Sequence, residues 1–445
     1  MSEFYLGLDL GTTSVSACLL PADGSPAEAL SVPHGAALAG SAETEDPVKL
    51  LEAARSLLSA FWEKHPGRIA SIGVTGQMHG ILYIGRDGDP LSPLYSWQNK
   101  LALAPLPSGR NALEEILEKT GRVLYAGYGL ATHYALSRTG RIPHGAASLL
   151  TAGDLLSLSL TGKKAPLLHP TNAHSIGFFD RAENRFAGYG PLPDFREELL
   201  PAVSGGDKPA GDFRGVPVSL AVGDNQASFF GAMRDESGLL LNLGTGGQLS
   251  ALAGGEDVPD GLEARPYFGG RTLAIYASLA GGRAYAMLER FIRSLTGARD
   301  PVYPLLNTLA EKGFREKTRL SVDARFAGTR ADPEKRGTIA GIGEANFTPE
   351  AMAAGFLYGM AQELHDAEPL FGRPFSFLAA TGNAVRKNPV LLEVIGDVFG
   401  LLPRLPRHTE EAAFGAALYG AVSAGLLDEK KARDLILYES EEERP

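Results

Sequence analysis

Apolar and polar positions along this chain fall into short runs of strand type and longer stretches of helical type. Leu6-Gly7-Leu8-Asp9-Leu10 is an apolar run with one carboxylate near its end. It passes into Gly11-Thr12-Thr13-Ser14, and residues 15–20 form a second apolar run. The pair predicts a hairpin whose tight turn offers backbone N–H and hydroxyl donors, an arrangement able to hold phosphate. The pattern returns as Leu240-Leu241-Asn242-Leu243-Gly244-Thr245-Gly246-Gly247-Gln248, with Asn242 standing 233 positions after Asp9. Either stretch alone is also an ordinary turn of Gly, Asx and Thr. Together they predict two similar domains, each carrying one phosphate-facing hairpin, that face each other.

Between the hairpins, residues 50–64 have helical spacing and residues 69–74 read as a buried strand ending in Thr75-Gly76-Gln77-Met78-His79-Gly80. A strand-like run at 81–84 and a turn at 87–90 precede Ser96-Trp97-Gln98-Asn99-Lys100. Residues 105–145 are irregular apart from a helix at 111–119, and residues 151–162 read as a helix closed by Gly162. Residues 169–175 form a polar turn ahead of 176–179, either a ligand-facing rim or a plain loop. Residues 216–222 predict a strand, and Gly223-Asp224 the turn that opens the next helix.

After the second hairpin, Gly281-Gly282-Arg283 opens a helix to about 294, and residues 326–337 form a surface loop. Thr348-Pro349-Glu350 starts a helix to about 367, with a capping Thr and Pro in the first turn. A strand at 377–380 leads into Thr381-Gly382-Asn383-Ala384, where a Gly-containing turn lets a flat adenine ring approach the backbone. The small-residue helix opening at 410–417 is expected to pack beneath that turn.

Composition narrows the class. At 445 residues the chain exceeds what one core serves, so two α/β domains of about 200 residues each are expected, divided as 1–236 and 237–445. Gly is frequent, 54 residues or about 12% against an average near 7%, which suits tight turns around small ligands. A net charge of −10 argues against a nucleic-acid surface, and no run approaches the ~18 apolar residues of a membrane span. The start of the chain goes directly into a strand without a basic leader, and Cys18 is a single, packed cysteine; a cytoplasmic protein is expected.

The candidate chemistry sits at strand ends. Gln77 and His79 offer contacts to sugar hydroxyls, and Trp97 an apolar face for a sugar ring. Asp224 has two readings, a helix cap or a base that accepts a proton from a substrate hydroxyl. His79 is equally readable as a loop histidine.

These motifs, with Gly223-Asp224-Asn225-Gln226-Ala227, Gly328-Thr329-Arg330 and Glu411-Ala412-Ala413-Phe414-Gly415-Ala416-Ala417, resemble the FGGY family of carbohydrate kinases over nearly the whole chain and in the family's order. The resemblance implies two actin-like ATPase (ribonuclease H-like) domains with a cleft between them. It also implies transfer of the γ-phosphate of ATP to a sugar hydroxyl. Gln77-Met78-His79-Gly80, Trp97-Gln98 and Ala277-Ser278-Leu279-Ala280-Gly281-Gly282 are most similar to the sedoheptulokinase branch, and several are shared with xylulokinases.

Carried over, the resemblance implies Asp9 beside Mg²⁺, Gly11, Thr12 and Thr13 on the ATP phosphates, and Gly244, Thr245 and Gly246 on their other side. Gly382 and Asn383 border the nucleotide, Gln77, Met78, His79, Trp97 and Asn225 the sugar, and Asp224 is the base. The partners are then a small sugar and ATP, with no nucleic acid or membrane, and a homodimer is compatible with the reading. Where the family commonly has Trp-Gln-Asp-x-Arg this chain has Trp97-Gln98-Asn99-Lys100-Leu101, without the carboxylate and the guanidinium; Thr381 and Asn383 stand where Gly is usual. These departures leave open which ketose or polyol is used. Two other readings compete: an ATP-dependent switch that binds a partner protein, and a sugar-binding regulator without kinase activity.

Overall fold

The structure, a computed structural model, describes residues 3–440 except 40, 256, 330 and 331, so Arg330 lies outside the described residues. The chain divides into two compact units. The first takes the chain up to Arg234 together with Pro266–Gly270 and His408–Ile436; the second takes Asp235–Arg265, Arg271–Arg407 and the segment from Leu437.

The first unit is built on a six-stranded sheet in the order Pro209–Phe213, Val216–Gly223, Ile69–Gly76, Phe4–Leu10, Ser14–Pro21, Glu28–Pro33. The hairpin strands run antiparallel with Asp9 opposite Ser16, and Glu28–Pro33 extends that meander. Ile69–Gly76 and Val216–Gly223 are parallel to Phe4–Leu10, with Leu10 and Gly223 both level with Gly76. Three carboxyl ends therefore meet at one edge, where open α/β sheets carry their ligands.

The second unit repeats the scheme. Its sheet runs Glu263–Pro266, Thr272–Ser278, Gly247–Leu252, Leu239–Leu243, Leu378–Thr381, Pro403–Arg404. Three antiparallel strands are again continued by two parallel ones. The repeat inferred from two nine-residue stretches is thus a repeat of topology.

The central strands are buried on both faces because helices cover both. Leu6, Leu8 and Leu10 belong to one core with Leu50, Ala54, Leu57 and Phe61 of the helix Pro47–Lys64. Gly7 points the other way, and a Cβ there would lie 1.8 Å from the carbonyl oxygen of Ala413. The helix Glu411–Ser423 therefore rests its backbone directly on the first sheet, and the helix Asp224–Ala232 crosses it just as closely at Gly415 and Gly231.

This corrects the expected place of that helix. Its row of Ala and Gly packs the first unit's strands, and its segment is grouped with the first unit, so the compact units do not follow a single division at 236/237. A second correction concerns residues 169–175. Pro170–Ile176 is a helix, because Pro170 supplies a preset φ at its first position and the His169 side chain accepts from Thr171 N–H as the cap. The strand after it is confined to Phe179–Asp180.

Candidate active site

In the first unit, Asp9, Gln77 and Met78, and Asp224 follow or close the three level strand ends. Gln77 N–H donates to Leu10 O at 2.8 Å, and a Cβ on Gly223 would meet the Met78 sulfur at 2.7 Å. Asp224 is not the cap of its helix. Gly223 occupies that position with φ −64° and ψ 141°, and Asp224 is the first helical residue.

Asp9 has a buried Oδ1 with no hydrogen-bond partner among the described residues. Burial first, then the neighbouring charges of Asp224 and Glu410, push its carboxyl up to about 8. An unpartnered carboxylate oxygen amid other carboxylates suits a divalent cation. Among the described residues no group of three or more His, Cys, Asp or Glu side chains is gathered to hold a metal.

The loop after Gly76 is held by buried polar contacts. Gln77 Nε2 donates at 2.8 Å to Oε2 of Glu45, which is fully buried, and the Gln77 and Glu45 Oε1 atoms are both buried without a partner among the described residues. Burial pushes the Glu45 carboxyl up to about 7, against the opposing pull of the Gln77 amide. His79 adopts φ 74°, stacks on Tyr128 at 4.7 Å, and bonds through Nδ1 to the Ser175 carbonyl at 2.7 Å. A carbonyl only accepts, so Nδ1 carries hydrogen and Nε2 is the acceptor of the neutral ring.

Trp97 is half exposed, and its Nε1 donates to Thr12 Oγ1 at 3.0 Å, joining the expected sugar platform to the phosphate turn. The departure at Asn99 has a local reason. Its Nδ2 donates to Glu43 O at 3.1 Å while its Oδ1 accepts from Leu101 N–H at 2.9 Å, and an aspartate supplies only the second of these. Lys100 lies 4.0 Å from Glu43 on the surface.

The second unit contains a cavity of about 850 Å³. Gly244, Thr245 and Asn383 line it, together with Arg283, Tyr285 and Asn307. The turn at one end is locked by the helix Gly281–Thr296, whose first amides donate from Gly282 and Arg283 to the Gly244 and Thr245 carbonyls, each at 3.1 Å. Gly246 and Gly382 serve close packing: a Cβ on Gly382, at φ 97°, would lie 2.3 Å from Leu243 O, and one on Gly246 would lie 3.0 Å from Ser278 O. The floor is an amide cluster in which the Asn307 Oδ1 accepts from Tyr285 OH at 3.2 Å and from Asn388 Nδ2 at 3.1 Å.

Residues 4–231 match the N-terminal domain, and residues 272–424 the C-terminal domain, of the FGGY family of carbohydrate kinases. The chain belongs to that family. It is accordingly an ATP-dependent carbohydrate kinase, acting on a small sugar and ATP. Mouse sedoheptulokinase is 28% identical over 93% of this chain and 96% of its own length; the human protein is 26% identical with the same coverage. Among solved structures, gluconate kinase from Lactobacillus acidophilus superposes with a TM-score of 0.82 at 18% identity, over 99% of this chain and 93% of that one. Glycerol kinase from Plasmodium falciparum, solved with ADP, gives 0.79 at 17% identity over 98% and 92%. At these identities the structures establish the shared actin-like fold.

Sequence reading of this FGGY kinase missed Glu45, Glu410, Tyr285, Asn307 and Asn388. Glu45 had a signal, a carboxylate just before the Asp46-Pro47 helix start. Asn388 carried only that of a cap before Pro389, which it also is. Tyr285 and Asn307 reach the same cavity from two different helices and left no local mark.

Proposed function

We propose that this FGGY kinase phosphorylates the terminal hydroxyl of a ketose, with sedoheptulose the first acceptor to test, and that Asp224 is the base. The observation carrying the proposal is Asp224 itself, a half-buried carboxylate at the first position of its helix that lies close enough to Asp9 to raise that residue's pKa. The sedoheptulokinase similarity supports the acceptor class.

In this reading Met78, His79 and Trp97 hold the sugar while Asp224 orients its hydroxyl and takes the proton as the new oxygen–phosphorus bond forms. Gly11, Thr12, Thr13, Gly244 and Thr245 donate to phosphate oxygens, whose charge spreads in the loose transition state, and ADP leaves with the bridging oxygen. Asp9 would hold Mg²⁺ through water, and the ion would supply charge neutralisation to the phosphates. The cavity lined by Tyr285, Asn307 and Asn383 takes the base and ribose. Gln77 and Asn225 complete the sugar side, and the reaction is placed in the cytoplasm.

The test is ADP release across sedoheptulose, xylulose, ribulose, fructose and glycerol. The expected result is stimulation strongest with sedoheptulose. Asp224→Ala should bind ATP and sugar nearly as the parent does and turn over ~10²–10⁴-fold more slowly. ATP consumption indifferent to every acceptor returns the protein to the class of nucleotide-driven switches. Xylulose preferred over sedoheptulose moves it to the xylulokinase branch, a reading that the Asn99 departure keeps in play.

A further inference from the structure

The segment 169–175, read from sequence as a rim or a loop, touches His79 and Gly223, the residue before Asp224, and so reaches both sides of the proposed reaction. His169 is buried, and its Nε2 meets Asp207 Oδ1 at 2.9 Å while its Nδ1 meets Thr171 Oγ1 at 2.9 Å. An ionised Asp207 only accepts, so Nε2 carries the hydrogen and Nδ1 accepts from the Thr171 hydroxyl. That hydroxyl in turn accepts from Gly223 N–H at 3.1 Å, one residue before Asp224. Asp207 is itself anchored from two other segments, accepting from Gly269 N–H at 2.7 Å and Tyr419 OH at 3.1 Å.

The last three residues of Val216–Gly223 are each gripped by a buried side chain. Asn172 Nδ2 donates to Ala221 O at 3.2 Å, Thr75 Oγ1 to Val222 O at 2.8 Å, and Thr171 takes Gly223 N–H. A sheet edge needs no such clamps for its own ladder, and burying this many polar groups stabilises only when every one is satisfied. At its other end the same helix holds His79. Ser175 Oγ accepts from His79 N–H at 3.2 Å, and Ser175 O takes Nδ1–H, keeping a non-glycine residue at φ 74°.

We propose that Pro170–Ile176, locked by the Asp207–His169–Thr171 relay, is a positioning element that sets the base Asp224 and the sugar contact His79 at a fixed separation. Thr171 acts on turnover through Asp224, and Ser175 acts on acceptor affinity through His79. The inference rests on the roles given above to those two residues.

The experiment compares Thr171→Val, Thr171→Ser, Ser175→Ala and Asp224→Asn, using ATP and whichever of sedoheptulose, xylulose, ribulose, fructose and glycerol the parent turns over fastest. Thr171→Val keeps the shape and removes the hydroxyl. It should lower kcat about 10- to 100-fold, the scale of an ångström-level misplacement, with KM for the acceptor within about twofold. Thr171→Ser restores the relay and should recover kcat to within about threefold of the parent. Ser175→Ala should raise the acceptor KM about fivefold, one hydrogen bond's worth, and leave kcat within about twofold.

Melting temperatures are taken for all four. A Thr171→Val protein that melts earlier but turns over normally per folded molecule overturns the proposal, as do Thr171→Ser and Thr171→Val equally impaired, or kcat and KM moving together in both helix variants. Normal turnover in Asp224→Asn removes the base assignment instead, whatever Thr171 does.

Discussion

Replacing Gly73 by alanine places a methyl carbon 1.7 Å from the Ala416 carbonyl oxygen and 2.4 Å from its carbon. The obstruction is backbone, so no rotamer relieves it. Ordinary contact begins near 3.4 Å, so the helix Glu411–Ser423 or the strand Ile69–Gly76 must retreat locally by about 1.7 Å, the difference of the two values. The same contact is also close from the helix's side, where a Cβ on Gly420 would lie 2.6 Å from Gly73 N. Overpacking of a well-filled core costs typically 1–3 kcal/mol, and a clash of this depth belongs at the upper end, about 3 kcal/mol. With a urea slope of about 3 kcal/mol/M for a unit of this size, the unfolding midpoint should fall by about 1 M. Both tryptophans, Trp62 and Trp97, lie in the first unit, so intrinsic fluorescence follows that unit alone. Gly190→Ala, with nothing within 4 Å, is the control and should not move. A Gly73→Ala midpoint within about 0.3 M of the parent, inside the error of such fits, would refute the account of how this helix is seated.

Trp97→Phe keeps a ring and removes the donor to Thr12; the acceptor KM should rise about fivefold in initial-rate assays, and an unchanged KM means the Trp97–Thr12 bond does not orient the ring for the sugar. Ala286→Trp fills the cavity proposed for the nucleotide, so KM for ATP should rise at least about tenfold while the acceptor KM holds; calorimetric titration with ADP checks the same point, and undiminished ADP affinity argues against this cavity as the nucleotide's. Glu45 has its folded pKa raised from 4.5 to about 7, so the unfolded chain ionises first and stability declines as pH rises from about 4.5 through about 7. Glu45→Gln should melt less steeply with pH between 5 and 8 than the parent, whose remaining slope includes Asp9; superimposable pH profiles speak against it.

Much of this protein was readable in order along the chain. The two hairpins announced themselves because an apolar run, an Asx and Leu-Gly-Thr leave little choice but a strand and a tight turn, and that information is local. The helix starts at Asn111, Thr151 and Thr348 were readable for the same reason, since a cap is satisfied within four residues. Residues 169–175 were misread because Pro and polar residues mark turns and helix starts alike, and the choice lay with Asp207 and Gly223, distant in sequence.

What the chain's order determined by itself was therefore the inventory: two phosphate turns, an acid after a buried strand, a Gly-rich strand-to-helix turn, and the family they resemble. Tertiary structure alone decided which unit owns the helix Glu411–Ser423, that Asp224 leaves its helix's cap to Gly223, and that Asp9 and Asp224 lie near enough to repel. Capping and turn formation are settled over a few residues, whereas burial, charge coupling and backbone-to-backbone packing depend on which distant segments arrive. No periodicity in one segment records the arrival of another.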